Sequence, residues 1–239
     1  MSFLRVVATP IGNLEDITIR ALRVLKEADY ILCEDTRITR KLLDNYQIKT
    51  PTISYHQHSQ EPKVDKIIGL LKENKNLALV TDAGTPGISD PGANLISAVR
   101  VTLGEAVTIE SVPGPSALAA ALSVAGAGFE RFLFLGFPPH KKGRQTMLKT
   151  VADSAFPVVF YESKHRILKL LAELAELEKS KKIELEIFVA RELTKLYESF
   201  YGGAPASVKA VLEAKESNLK GEFVVLVRRA SKAKKSFQE

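Results

Sequence analysis

The chain has 239 residues, 45% of them hydrophobic, with a formal net charge of +6 and one cysteine. That length and apolar content support one large core or two modest domains, and they exclude a disordered or fibrous chain. No run of about 18 apolar residues exists for a membrane span, the opening Met1-Ser2-Phe3-Leu4-Arg5 has no signal-peptide pattern, and a single cysteine forms no intrachain disulfide.

Phe3 to Ala8 reads as a first strand, broken by Thr9-Pro10-Ile11-Gly12-Asn13. Asp16 or Thr18 then caps a helix with Ala21, Leu22, Leu25 and Ala28 on one face. Tyr30 to Cys33 is a second strand, with Cys33 as a packed core thiol, and it ends in Glu34-Asp35-Thr36-Arg37 before a helix running to Tyr46. Thr52 to Tyr55 is a third strand ending at His56, and Val64, Ile67, Ile68 and Leu71 mark the next helix. Leu77 to Val80 is a fourth, and Ala106 to Val112 a fifth that ends in Pro113-Gly114-Pro115-Ser116-Ala117. Alternating strands and helices predict a mainly parallel sheet, whose carboxyl ends share one edge, the edge at which open α/β sheets bind ligands.

The fourth strand leads into Asp82-Ala83-Gly84-Thr85-Pro86-Gly87-Ile88-Ser89-Asp90-Pro91-Gly92. Strand-to-helix turns are usually shorter. Glycines here permit close approach of a ligand to the backbone, and Asp and Ser offer groups for a ligand's amine or carboxylate. Turn chemistry alone also enriches Gly and Pro, but five such stretches all follow strands and so converge on one edge, which favours a small-molecule site.

After Pro115 the texture changes, giving an N-terminal α/β domain over 1–114, a C-terminal mixed α/β domain over 115–230 and a basic tail over 231–239. Ser116 to Val124 is helical, Arg131 to Leu135 a strand ending in Gly136-Phe137-Pro138-Pro139, and Val158 to Tyr161 a strand ending in Glu162-Ser163. His165 to Leu177 is an amphipathic helix, Glu184 to Ala190 a strand followed by Arg191-Glu192-Leu193-Thr194-Lys195, Val208 to Ala214 a helix, and Glu222 to Val227 a last strand, with Phe200 in a short one. Three basic clusters, His140 to Arg144 in a loop, Lys164 to Arg166 and Arg228 to Lys235, are candidate phosphate contacts, with Arg37, Arg40 and Lys41. Tyr55 and Phe137 are available for base stacking or belong to the core, the core reading being favoured.

The chain lacks a Gly-x-Gly-x-x-Gly after its first strand, a P-loop and a Gly-x-Ser-x-Gly elbow. His56 and His58 share a face, but with the other two histidines distant no metal site is expected. Thr9 to Asn13, Glu34 to Arg37, Ser54-Tyr55-His56, Asp82 to Gly92, Pro113 to Ala117, Tyr161-Glu162-Ser163 and Arg191 to Lys195, in that order, resemble the motif set of the ribosomal RNA small subunit methyltransferase I family, within the tetrapyrrole-methylase superfamily. Two departures stand out: Lys164 occupies a position where that family often has proline, and the C-terminal segment of longer members is absent.

The resemblance implies two α/β domains with S-adenosylmethionine in the cleft between them, a homodimer, a cytoplasmic location, and methyl transfer to a cytidine ribose 2′-hydroxyl of 16S ribosomal RNA in the small subunit. It also implies that Pro10, Gly12, Asp82, Ala83, Gly84, Ile88 and Ser89 hold the methionine portion, and that Ser116, Ala117 and Phe137 enclose the adenosine. A positioned base that takes the hydroxyl proton, or a cation that stabilises the alkoxide, contributes roughly a hundredfold or more. Asp35, Arg37, Glu192 and Lys195 are the main candidates, beside Glu34 and His56, with structural salt bridges as the alternative for each. Tetrapyrrole methylation on the same fold, or non-catalytic RNA binding in ribosome assembly, are the competing functions.

Overall fold

The computed structural model describes residues 2–56 and 61–230, so His58 and the tail 231–239 lie outside the described residues. Two compact units divide the chain, Met1–Ala117 and Leu118–Glu239. No helix among the described residues is long and apolar enough to cross a membrane.

In the first unit, strands β1 (Ser2–Val7), β2 (Tyr30–Cys33), β3 (Thr52–Ser54), β4 (Leu77–Leu79) and β5 (Val107–Val112) form a sheet of order β3-β2-β4-β1-β5. All four pairings are parallel. The inner strands β2 and β4 are buried on both faces, so they read as apolar runs in the sequence. Helices α1 (Ile19–Glu27) and α2 (Thr36–Asn45) cover one face: Ala21, Val24, Leu25 and Leu43 pack on Val7, Ile31, Cys33, Ala78, Val80 and Val112. Helices α3 (Glu61–Lys72) and α4 (Gly92–Leu103) cover the other, where Ile67, Leu71, Leu95 and Val99 meet Leu4, Leu32, Leu77, Leu79 and Val107. Neighbours along a strand therefore go to opposite cores, as the two-residue period of a strand requires. Thr18 caps α1 by accepting the Ala21 N–H, and Asn13 caps a short 3-10 turn, Leu14–Asp16.

Helix α5 (Ala117–Val124) leads into the second unit. Its strands β6 (Leu133–Phe134), β7 (Val158–Ser163), β8 (Leu185–Arg191), β9 (Ser199–Gly203) and β10 (Glu222–Arg229) lie in the order β6-β7-β10-β8-β9. Only β6 and β7 are parallel, so the sheet is mixed. Helices α6 (Arg144–Asp153), α7 (Ile167–Lys181) and α8 (Pro205–Glu213) share one core with Val158, Phe160, Ile187, Val189, Phe223, Val225 and Val227.

Three expectations change here. The 131–135 strand shrinks to Leu133–Phe134, and Glu162, Ser163 and Arg191 lie inside strands β7 and β8, because β10 is long enough to pair with them. The helix expected from His165 begins at Ile167 and extends to Lys181. Helix α6 was not legible: its N-cap is Gly143 at φ 88 with no side-chain cap, so no Ser, Thr or Asp marks its start. Phe160 is fully buried, and Phe160→Ala is expected to cost about 3–5 kcal/mol, read as a lower urea midpoint at unchanged slope.

Candidate active site

The carboxyl ends of the first unit's strands are tied together by their own polar groups. Thr9 and Gly84 exchange backbone hydrogen bonds, Thr9 N–H to Gly84 O at 2.9 Å and Gly84 N–H to Thr9 O at 3.1 Å. The Thr9 hydroxyl donates to Thr81 O, the Thr85 hydroxyl donates to Pro115 O, and the Asp35 N–H donates to Asp82 Oδ1 at 3.0 Å. Loops after β1, β2, β4 and β5 are thereby joined. Gly84 takes φ 86, and a Cβ there would stand 3.4 Å from Ile11 Cγ2 and 3.8 Å from Pro115 O. Pro10 to Gly12, Asp82 to Gly84 and the segment leading to Ser116 and Ala117 accordingly meet at one place. Ala83, Ile88 and Ser89 are exposed, Ser89 at φ 65, in the part of the turn that projects outward.

Within that turn Asp90 is internally committed. Both of its oxygens accept the Gly87 N–H at 2.9 Å, and Oδ1 also accepts the Gly92 N–H at 2.7 Å. It thus satisfies the first N–H of α4, whose N-cap position is Pro91, and Gly92 is required because a Cβ there would lie 2.8 Å from Asp90 Oδ1. The expectation that the turn's aspartates face a ligand is corrected for Asp90.

Asp35 caps α2 through the Arg37 N–H. The Arg37 guanidinium closes on both its oxygens, Nη2 to Oδ2 at 2.6 Å. The hydrogen bonds from the Arg37 side chain and backbone hold the Asp35 carboxyl at about 2, and a carboxylate this acidic is a weak base. Glu34, next along, moves the opposite way. Partial burial first, then the charges of Asp82, Asp90 and Asp35, push its pKa up. Asp82 is also raised, by burial, against the Asp35 N–H that it accepts. Glu34, Tyr55, Leu79, Val80, Thr81, Asp90, Pro91 and Gly92 line a small recess with room for little more than one water molecule.

In the second unit the Arg191 to Lys195 segment forms a separate cluster. Arg191 is buried and its guanidinium donates to Lys220 O, Tyr197 O, Ser199 Oγ and Ser217 O, so it braces the loop around it. Lys195 Nζ donates to Glu192 Oε1 and Glu222 Oε2, each at 2.9 Å, and Glu192 Oε1 also accepts the Glu222 N–H. Burial alone would raise Glu192 and lower Lys195; these bonds outweigh it, leaving Glu192 lowered and Lys195 raised. Both are held ionised. Glu192 sits at φ 52 and Thr194 at φ 66, unusual for non-glycine residues. Glu222 and Gly221 were not singled out in the sequence: a Cβ on Gly221 would fall 2.3 Å from Glu192 Cδ, so this glycine makes room for the carboxylate, and nothing local in the sequence signals it.

The expected phosphate contacts divide. Arg144 is 4% exposed and chelates Glu173, and Arg166 pairs with Glu162 at 2.9 Å; neither is a free surface cation. Arg228 lies in β10 and pairs with Glu186, and Arg229 donates to Ala152 O. Arg37, Arg40, Lys41, Lys141 and Lys142 remain exposed. Tyr55 is buried, as the core reading has it, whereas Phe137 is 52% exposed with its ring edge-on to Tyr161 at 5.5 Å, which corrects the core reading for that residue.

Comparison with known proteins places these features in context. Residues 4–208 match the Tetrapyrrole (Corrin/Porphyrin) Methylases. The Ribosomal RNA small subunit methyltransferase I of Thermotoga maritima is 43% identical over 227 residues, covering 95% of this chain and 98% of that protein. Among solved structures, the methyltransferase CobJ superposes with TM-score 0.68 at 20% identity, over 96% of this chain and 95% of that one. Uroporphyrin-III C-methyl transferase from Thermus thermophilus, complexed with S-adenyl homocysteine, gives TM-score 0.62 at 19% identity, over 94% and 96%.

Removing the guanidinium in Arg37→Ala is expected to return the Asp35 pKa from about 2 toward the ordinary ~3.9, followed by carboxyl carbon NMR. The sign follows from linkage: the lowered pKa stabilises the fold above the ordinary value and that contribution disappears as pH falls toward about 2, so the variant loses the pH dependence with the pair. Gly221→Ala, which combines φ 104 with a clash against Glu192, is expected to destabilise by roughly 1–3 kcal/mol, measured by chemical denaturation.

Proposed function

We propose that this chain, which belongs to the tetrapyrrole (corrin/porphyrin) methylases and within them to the ribosomal RNA small subunit methyltransferase I family, transfers a methyl group from S-adenosylmethionine to the 2′-hydroxyl of a cytidine ribose in the decoding region of 16S ribosomal RNA. The observation that carries the reading is the acidic edge of the first unit. Asp82, Asp90 and Asp35 stand close enough for their charges to raise Glu34, and Asp35 close enough to raise Asp82, and Asp35 alone of the four has an ion-pair partner among the described residues. Such a field suits a ligand carrying a sulfonium and an ammonium and disfavours an anionic one. Gly84, open where a Cβ would approach Ile11 and Pro115, supports close passage of a ligand along the backbone.

When bound, S-adenosylmethionine supplies an electrophilic methyl group on a sulfonium. Backbone groups of Pro10, Gly12, Asp82, Ala83, Gly84, Ile88 and Ser89 hold its methionine portion, and Ser116 and Ala117 hold its adenosine. For the proton of the ribose hydroxyl, Asp35 and Glu192 are poor acceptors, since each is kept ionised by its own cation. Glu34 has a raised pKa and no side-chain hydrogen bond or ion pair among the described residues, and it lines the recess; we assign it the role of general base. Arg37 and Lys195 carry positive charge toward the polyanionic substrate, and Asp35 and Glu192 fix where those cations sit. A cytoplasmic homodimer is the proposed working form, on the strength of the family resemblance.

The test supplies methyl-labelled S-adenosylmethionine and small ribosomal subunits from cells lacking the protein, followed by mapping of the labelled nucleotide. Label on a cytidine ribose 2′-oxygen supports the reading; no label, with donor binding intact, overturns it. Glu34→Gln is expected to lower kcat roughly a hundredfold with little change in donor affinity, measured in the same assay.

A further inference from the structure

Within the second unit, the loop before α6 and the turn before α7 carry cations and no free carboxylate. Residues 136–150 and 163–172 contain no Asp or Glu, and they present His140, Lys141, Lys142, Lys164 and His165 to solvent. In the sequence these are two separate clusters; the structure brings them together. Arg166, in the turn after β7, lies 2.9 Å from Glu162 through its Nε, and its Nη1 donates to Pro138 O at 2.8 Å. The Tyr161 N–H donates to Gly136 O at 3.0 Å, and Arg144 Nη1 donates to Pro139 O at 2.9 Å. Burial pushes the Glu162 pKa up, while the Ser163 N–H and the charges of Arg166, Arg144 and His140 pull it down, so groups from the loop and from the turn surround one carboxyl. The two carboxylates that border these stretches offer the lysines nothing. The Glu162 side chain is fully buried beside Arg166, and Glu173 accepts three hydrogen bonds from Arg144. Lys141, Lys142 and Lys164 have no side-chain hydrogen bond or ion pair among the described residues. Like charges gathered without an acid between them repel one another, and an anionic partner relieves that repulsion.

We infer that Lys141, Lys142 and Lys164, with His140 and His165, form one surface by which the second unit grips the sugar-phosphate backbone of the RNA substrate. The inference rests on the ribosomal RNA reading above and names where on this unit that partner is held. Arg144 and Arg166 take no part in the contact, since their guanidinium groups are engaged with protein oxygens; they are the struts that keep the loop against the turn. The lysines suit the outward role, because an ammonium on a flexible stem meets phosphate oxygens without a fixed geometry. Contacts of this kind supply affinity and register rather than choice of base.

The test measures binding of 16S ribosomal RNA to the full chain by filter retention over a series of salt concentrations. Three proteins are compared: wild type, Lys141→Ala/Lys164→Ala, which takes one lysine from the loop and one from the turn, and Lys179→Ala/Lys181→Ala, which removes the same charge from the last turn of α7. Lys141→Ala/Lys164→Ala is expected to flatten the plot of log affinity against log salt by about 2 and to weaken binding about tenfold at low salt. The Lys179→Ala/Lys181→Ala slope is expected to match that of the wild type. An unchanged slope in the first variant overturns the inference, as does equal flattening in both, which would report net charge alone; either result leaves the RNA reading standing. Failure of the wild type to bind this RNA at any salt concentration would refute the RNA reading itself, and the partner assigned to this surface with it.

Discussion

The reciprocal backbone hydrogen bonds between Thr9 and Gly84 answer a constraint set by the parallel sheet of the first unit. Every strand of that sheet ends on the same edge, so the chain leaves the sheet several times within a small area, and each departure exposes backbone groups that need partners. The loops supply one another. Thr9 meets Gly84 and Thr81, Thr85 reaches Pro115, and Asp82 receives the Asp35 N–H. Gly84 is the residue this knot requires, for its positive φ. With the loops fixed to one another, the acidic groups they carry are held near each other despite their mutual repulsion.

That arrangement divides the carboxylates by what they are bonded to. Asp90 is consumed in accepting the Gly87 and Gly92 N–H groups, Asp35 in capping α2 and gripping Arg37, and Glu192 in holding Lys195 and the Glu222 N–H. Glu34 is left with desolvation and like charge, the two influences that raise a carboxyl pKa toward the range useful for accepting a proton. Committed carboxylates build the geometry, and the uncommitted one is the group proposed as general base. The same logic recurs in the second unit, where Arg144, buried, and Arg166, half-buried, look in the sequence like phosphate contacts but serve carboxylates and proline carbonyls instead.

The fold was largely legible because its signals are periodic. Apolar runs such as Leu77 to Val80 and helical spacings such as Ala21, Leu25 and Ala28 gave the parallel half, and Thr18 marked its cap. Legibility failed where the signal is not local. Helix α6 starts at a glycine without a capping side chain, and Glu162 and Arg191 belong to strands because a distant partner, β10, pairs with them. For the site, loop positions followed from strand order, but the state of each group did not. The Glu192–Lys195 pair depends on Glu222 and on the space left by Gly221, both some thirty residues away in the chain. Arg144 and Arg37 look alike in a sequence; only burial against Glu173 separates the first from the exposed second.

The central claim is that the strand-end loops of the first unit are locked to one another without ligand. Amide hydrogen exchange in the ligand-free protein tests it most directly, at Thr9, Asp35, Gly84 and Gly87, whose N–H groups donate to Gly84 O, Asp82 Oδ1, Thr9 O and the Asp90 carboxylate respectively. Protection at all four comparable to that of the sheet amides is the predicted result. Exchange at rates near those of an unstructured peptide, with protection gained only on adding S-adenosylhomocysteine, would contradict the account and mean that the ligand assembles the site.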